Sequence, residues 1–139
     1  MKSLAVAALL ALFAVTPARA QDKPDRVVYH LNLGLEQAAN GLRNVRNHLE
    51  VSPKAEIVVV AHAAGVEFLM KGAKSPRGNE FRQDVEDLDL QGVKFEVCSI
   101  TLRERNLQRS QFLPQVKFVP SGVVELSRLQ REGYAYIKP

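Results

Sequence analysis

Few residues in this sequence are of a type that does covalent or proton-transfer chemistry. Its 139 residues include one cysteine, Cys98, and three histidines, His30, His48 and His62. A thiol reacts as its thiolate, which a neighbouring imidazole, a helix N-terminus or a nearby cation favours. Two such signals lie beside Cys98. Thr101-Leu102-Arg103-Glu104 has capping-box form, which predicts a helix opening just after the cysteine. Arg103 and Arg105 add positive charge in its first turn. Two positions within one turn cannot both point at the sulfur, so at least one of these arginines belongs to a solvated face. His62 is the candidate base, although a lone histidine in a turn more commonly serves as a hydrogen-bonding residue. His30 falls inside a β-forming run and reads as structural. His48 lies near a helix end, where it favours the dipole. The thiol itself has three readings. In an oxidising compartment a single cysteine is a reactive thiol or a link between chains, and the third reading is a buried, inert, small apolar residue.

Other chemistries find no pattern to stand on. The histidines and the cysteine lack metal-ligand spacing. There is no G-x-G-x-x-G, P-loop or G-x-S-x-G, and one cysteine cannot form C-x-x-C. The sequence therefore calls for no metal and no cofactor. Tryptophan is absent, and the few aromatic residues fall in apolar runs rather than on a basic stripe, so no nucleic-acid surface is expected.

Strands alternating with helices must position the thiol. Arg26–Leu31, the apolar run Ile57–Ala61, Val93–Cys98, Val116–Val119 and Tyr134–Ile137 read as strands. Leu35, Ala38, Ala39, Leu42, Val45 and Leu49 recur at helical spacing, as do Phe81, Val85 and Leu88. Shorter helices are expected over Val66–Lys71 and from Pro120-Ser121-Gly122 to Gly133. A longer one is expected from about Leu102 to Leu113, stopped by Pro114. The pattern predicts a single α/β domain: a three-layer open sheet of about five mostly parallel strands flanked by helices. Within Val93–Cys98, Lys94, Glu96 and Cys98 share the more polar face, which favours access to the thiol. Open parallel sheets bind ligands beyond the carboxyl ends of their strands. That rule gathers Asn32-Leu33-Gly34, His62-Ala63-Ala64-Gly65, Cys98-Ser99-Ile100-Thr101 and Pro120-Ser121-Gly122. The candidate pocket around Cys98 is thus Asn32, His62, Gly65, Ser99, Thr101, Arg103, Ser121 and Gly122.

Residues 1–20 read as a cleavable signal peptide. Lys2 precedes an apolar stretch, Leu4–Val15, that is too short to span a bilayer, and Thr16-Pro17-Ala18-Arg19-Ala20 ends in a small-x-small site. The polar Gln21–Asp25 that follows argues against an uncleaved anchor or a buried helix. The domain then occupies residues 21–139, in the periplasm or outside the cell, with no membrane span after cleavage. Losing Lys2 and Arg19 lowers the formal net charge from +4 to about +2, which demands no anionic partner.

Several segments are similar to a known family. Gly92-Val93-Lys94-Phe95-Glu96-Val97-Cys98 with Ser99-Ile100-Thr101-Leu102 resembles the cysteine segment of DsrE/DsrF-like proteins of sulfur metabolism. Ile57–Val66 resembles their second-strand segment, and Asn44–Leu49 the end of their first helix. Val119-Pro120-Ser121-Gly122-Val123 and Gly133–Pro139 resemble the C-terminal end of one branch. The resemblance implies a five-stranded parallel sheet, assembly as a homotrimer or homohexamer, and Cys98 as the acceptor and donor of sulfur held as a persulfide. It implies sulfur donor and acceptor proteins or small thiols as partners. Two features depart from the family. Its sulfur relays are typically cytoplasmic, whereas this chain reads as exported, and the glycine often found after the second-strand histidine is Ala63 here. The alternatives are a non-catalytic homo-oligomeric binding protein of the same fold and a redox thiol linking two subunits.

Overall fold

The computed structural model describes residues 23–139, so the expected signal peptide lies outside the described residues. Strands and helices alternate as β1 (Arg26–Leu31), α1 (Leu35–Val51), β2 (Glu56–Ala61), α2 (Phe81–Leu90), β3 (Lys94–Cys98), α3 (Ser99–Glu104), β4 (Val116–Val119), α4 (Gly122–Arg131) and β5 (Ala135–Ile137). Short 3-10 segments occupy Ala63–Leu69 and Arg109–Gln111. The five strands form one sheet in the order β4-β3-β2-β1-β5, with every neighbouring pair parallel. This is the expected α/β architecture, and its sheet is parallel throughout.

Side-chain alternation divides the sheet into two unlike faces. Val27, Tyr29 and Leu31 of β1, Ile57, Val59 and Ala61 of β2, and Phe95 and Val97 of β3 bury on one face. Covering it are Ala38, Leu42, Val45 and Leu49 of α1 and Phe81, Val85 and Leu88 of α2. Phe68 packs edge-to-face on Phe81 and Phe95, with ring centroids 5.7 and 6.3 Å apart. Each such burial contributes about 1.5–3 kcal/mol. The opposite parity, Val28, Val58 and Val60, packs on Leu126 and Leu129 of α4 and on Tyr134. Among the described residues only α4 crosses this second face, lying over β1, β2 and β3.

Two expected helices are corrected. The one expected from Leu102 to Leu113 begins at Ser99 and ends at Glu104. Asn106 stops it by adopting a left-handed conformation, φ 53°. Leu107 N–H then donates to Leu102 O at 2.9 Å, and Asn106 N–H donates to Arg103 O at 3.4 Å. That is a Schellman closure, which asparagine tolerates almost as glycine does. Gly92 and Gly133 close α2 and α4 in the same way. The helix expected over Val66–Lys71 is instead the 3-10 segment that starts directly after His62.

Candidate functional site

β2 and β3 are neighbours, and their register sets Ala61 beside Val97. Continued by one residue, it sets His62 beside Cys98. Both side chains follow the parity that faces α4. Gly122, the first residue of α4, comes down between them: a Cβ there would lie 3.2 Å from the Cβ atoms of both Cys98 and His62. A Cβ there would need its neighbours to give by a few tenths of an ångström. Ser121 caps α4, its hydroxyl accepting from Val124 N–H at 3.4 Å.

This cover overturns the expectation that the polar parity of β3 leaves the thiol open, because Cys98 keeps only 5 % of its surface exposed. The groups around the sulfur are nonetheless polar. Cys98 occupies the N-cap position of α3, where the second and third helical N–H groups, Ile100 and Thr101, face its side chain. Burial pushes the thiol pKa up. The N–H groups of Gly122, Thr101 and Ile100 and the Thr101 hydroxyl outweigh that and leave it below the usual value. The neutral thiol closes no cap hydrogen bond, being a weak acceptor, so these donors act on the charged form.

Thr101 plays a different part from the one its capping-box position suggests. As the third residue of α3, it accepts a hydrogen bond from Ala63 N–H through Oγ1 at 2.9 Å. Its own hydroxyl proton is thereby free for the sulfur. Ala63 sits at φ 50°, a left-handed conformation that costs an alanine about 1 kcal/mol and costs glycine little. Gly65 is required for another reason: a Cβ there would lie 2.1 Å from Leu31 O, so only glycine lets the 3-10 turn pack on the end of β1. Arg103 takes the solvated position expected of at least one arginine, but neither it nor Arg105 lies in the first turn of α3. Arg105 donates to Ala63 O at 3.0 Å and to Glu67 Oε1 at 2.7 Å. Arg103 is exposed, and neither guanidinium is among the groups that shift the thiol.

The histidines supply what the sequence left unread. His62 Nε2 lies 2.7 Å from His30 Nε2, and His30 Nδ1 lies 2.6 Å from the Tyr136 hydroxyl. Burial, then the neighbouring His62 and Lys138, lower the His30 pKa to about 4. Burial and Lys138 lower that of His62 as well. Both rings are therefore neutral at physiological pH. His30 is thus tied to the site rather than merely structural. Its β1 parity was the available signal, but that signal needs the strand order before it points to His62. His48, by contrast, faces away, its Nδ1 lying 3.1 Å from the Tyr29 hydroxyl.

Of the expected pocket, the structure gathers His62, Thr101 and Gly122 around Cys98, with Ser121 capping the helix above. Ser99 opens α3 and is half-buried. Asn32 and Gly65 shape the joint between β1 and the 3-10 turn. Asn32 N–H donates to Gln37 Oε1 at 2.8 Å, and Asn32 Oδ1 is buried with no partner among the described residues. No group of three or more histidine, cysteine or acidic side chains suited to a metal occurs among the described residues. None of their helices is long and apolar enough to cross a membrane.

No curated protein matches the chain. Among solved structures, MTH1491 of Methanobacterium thermoautotrophicum, a protein of unknown function, is 36% identical with a TM-score of 0.73, the match covering 83% of this chain and 99% of that one. YchN of E. coli shares the fold, with a TM-score of 0.71 at 19% identity, over 83% of this chain and 99% of its own. The DsrE/DsrF-like family model matches residues 10–139. With its all-parallel sheet and a cysteine at the carboxyl end of β3, the chain belongs to the DsrE/DsrF-like family, which is associated with sulfur relay.

Proposed function

We propose that Cys98 carries sulfane sulfur as a persulfide and passes it to another thiol, and that the protein does so as a homo-oligomer after export. The Cys98 thiolate attacks the outer sulfur of a persulfide or polysulfide donor. The new S–S bond forms at Cys98, the donor's S–S bond breaks, and the electron pair leaves on the donor's thiolate, so no external oxidant or reductant enters. One observation carries the reading: backbone N–H groups from two separate helix starts and the Thr101 hydroxyl converge on a buried sulfur and favour its thiolate. A purely apolar cysteine has no need of them.

Mass spectrometry after incubation with polysulfide tests this. The wild type should gain mass in steps of one sulfur atom, and Cys98→Ser should gain none. An equal gain by Cys98→Ser would show that the sulfur sits elsewhere.

A second reading, a non-catalytic homo-oligomeric binding protein, draws on the low exposure of Cys98 and on Val123 and Val124, which stand 62% and 63% exposed at the start of α4. A thiol inert to iodoacetamide at about pH 6, where only a lowered pKa leaves a useful thiolate fraction, would favour it.

A further inference from the structure

We propose that His62, His30 and Tyr136 form a proton relay joining the Cys98 site to the open groove beside α4. The inference rests on the sulfur-carrier reading and identifies the path of the proton that this chemistry must move. The three side chains make one diagonal row across the sheet. Tyr136 pairs in register with Val28, two residues before His30, and His30 pairs with Val60, two residues before His62. Equal parity turns all three toward α4. The row ends at His62, next to Cys98 under Gly122.

A bond between two imidazole nitrogens needs one donor and one acceptor, so the row has two arrangements. In the first, Tyr136 donates to His30 Nδ1, His30 Nε2–H donates to His62 Nε2, and His62 holds its proton on Nδ1. In the second, His30 Nδ1–H donates to the tyrosine oxygen, His62 Nε2–H donates to His30 Nε2, and His62 Nδ1 is bare. Passing from the first to the second releases a proton at His62 Nδ1 while Tyr136 takes one from water, and the reverse carries a proton outward. His62 Nδ1 makes no hydrogen bond with any described residue, the sulfur of Cys98 included, so it is left for an incoming reactant.

The surroundings suit this task. Both rings must be neutral to shuttle protons, and their lowered pKa values keep them so. The charges near them are cationic, Lys138 beside the pair and Arg131 of α4 across the groove. Tyr136 is 43% exposed and lines that groove with His30 and Val123, whereas the cysteine is almost covered. Little water therefore reaches the sulfur directly, while the outer end of the row is open. When the Cys98 thiolate attacks a persulfide or disulfide, the S–S bond to Cys98 forms, the donor's S–S bond breaks, and the departing thiolate takes its proton from His62.

Two small uncharged disulfides test the relay. Bis(hydroxyethyl) disulfide releases an alkyl thiolate that needs a proton, whereas bis(4-nitrophenyl) disulfide releases a nitrothiophenolate that is stable as the anion and needs none. Tyr136→Phe, which removes only a hydroxyl at the open edge, and His30→Gln should each slow reaction with the alkyl disulfide about tenfold. Both should leave the nitrophenyl disulfide rate unchanged. Equal losses with both reagents indicate mere packing and overturn the relay, as does no loss with either or a wild type inert to both. Polysulfide loading of the wild type is scored separately. Its absence from a protein that reacts with disulfides counts against sulfur carriage, while the relay still stands or falls on the ratio of the two disulfide rates.

Discussion

The face of the sheet under α1 and α2 buries Val27, Leu31, Ile57, Val59, Phe95 and Val97, whereas the face under α4 holds His30, Glu96 and Cys98. Glu125 joins the second group from α4 itself, so every buried histidine, carboxylate and thiol among the described residues lies on one side. The same strands supply both faces through alternate residues. The first face is closed by two amphipathic helices, α1 of 17 residues and α2 of 10, and by a cluster of phenylalanines, and it gains from being dry. The second has one ten-residue helix, which leaves open margins where a polar side chain can reach a partner or water. Lys117 reaches Glu96 Oε1 at 3.2 Å from one margin, and Tyr136 reaches His30 from the other. Division of labour between the faces thus follows from how much each is covered.

Breaking the dry face should have the largest effect on stability. Phe95→Ala should cost about 3–5 kcal/mol, read by urea denaturation, because it opens a cavity beneath Phe68. The pH profile of Cys98 alkylation in the folded fraction should stay where it is. Movement of that profile would mean that the two faces are not independent.

Thr101→Val strikes the polar side with a smaller loss, about 0.5–1.5 kcal/mol, since Ala63 N–H loses its part-buried acceptor. Here the alkylation profile should move to higher pH, because the hydroxyl that favours the thiolate is gone. An unmoved profile would remove Thr101 from the site.

The smallest effect sharpens the comparison. Burial first, then Glu125, pushes the Glu96 carboxyl above its ordinary value, with Lys117 opposing, and Glu96 Oε2 has no partner. A carboxyl raised in the folded state binds its proton more tightly there than when unfolded. Its stabilising contribution is therefore present at low pH and lost as pH rises through the folded pKa. Glu96→Gln stays neutral, so its stability relative to the wild type should improve steadily from acid to neutral pH in denaturation series. A difference that shrinks over that range would show that the ion pair with Lys117 governs Glu96.

Much of this was legible in the residues. Arg26–Leu31 and Val116–Val119 are strands with the bounds their β-forming composition indicates, and strict alternation in Val93–Cys98 put Glu96 and Cys98 on one side. The helix after Cys98 is shorter than its sequence suggests because Asn106, unlike Gly92 or Gly133, is not an obvious stop. Access to the thiol is not legible in the residues, because polarity of a strand face says nothing about which helix lies over it.

By itself the sequence determined the periodicities: where strands and helices run, which residues share a face, and that one thiol stands at a strand's carboxyl end. Tertiary structure alone decided that β1, β2 and β3 lie side by side with β5 at the edge, bringing His62 beside Cys98 and His30 between His62 and Tyr136. It alone brought Gly122 N–H to the sulfur. Local spacing specifies a side chain's direction within its own element, but its neighbours across the sheet are set by how the whole chain packs.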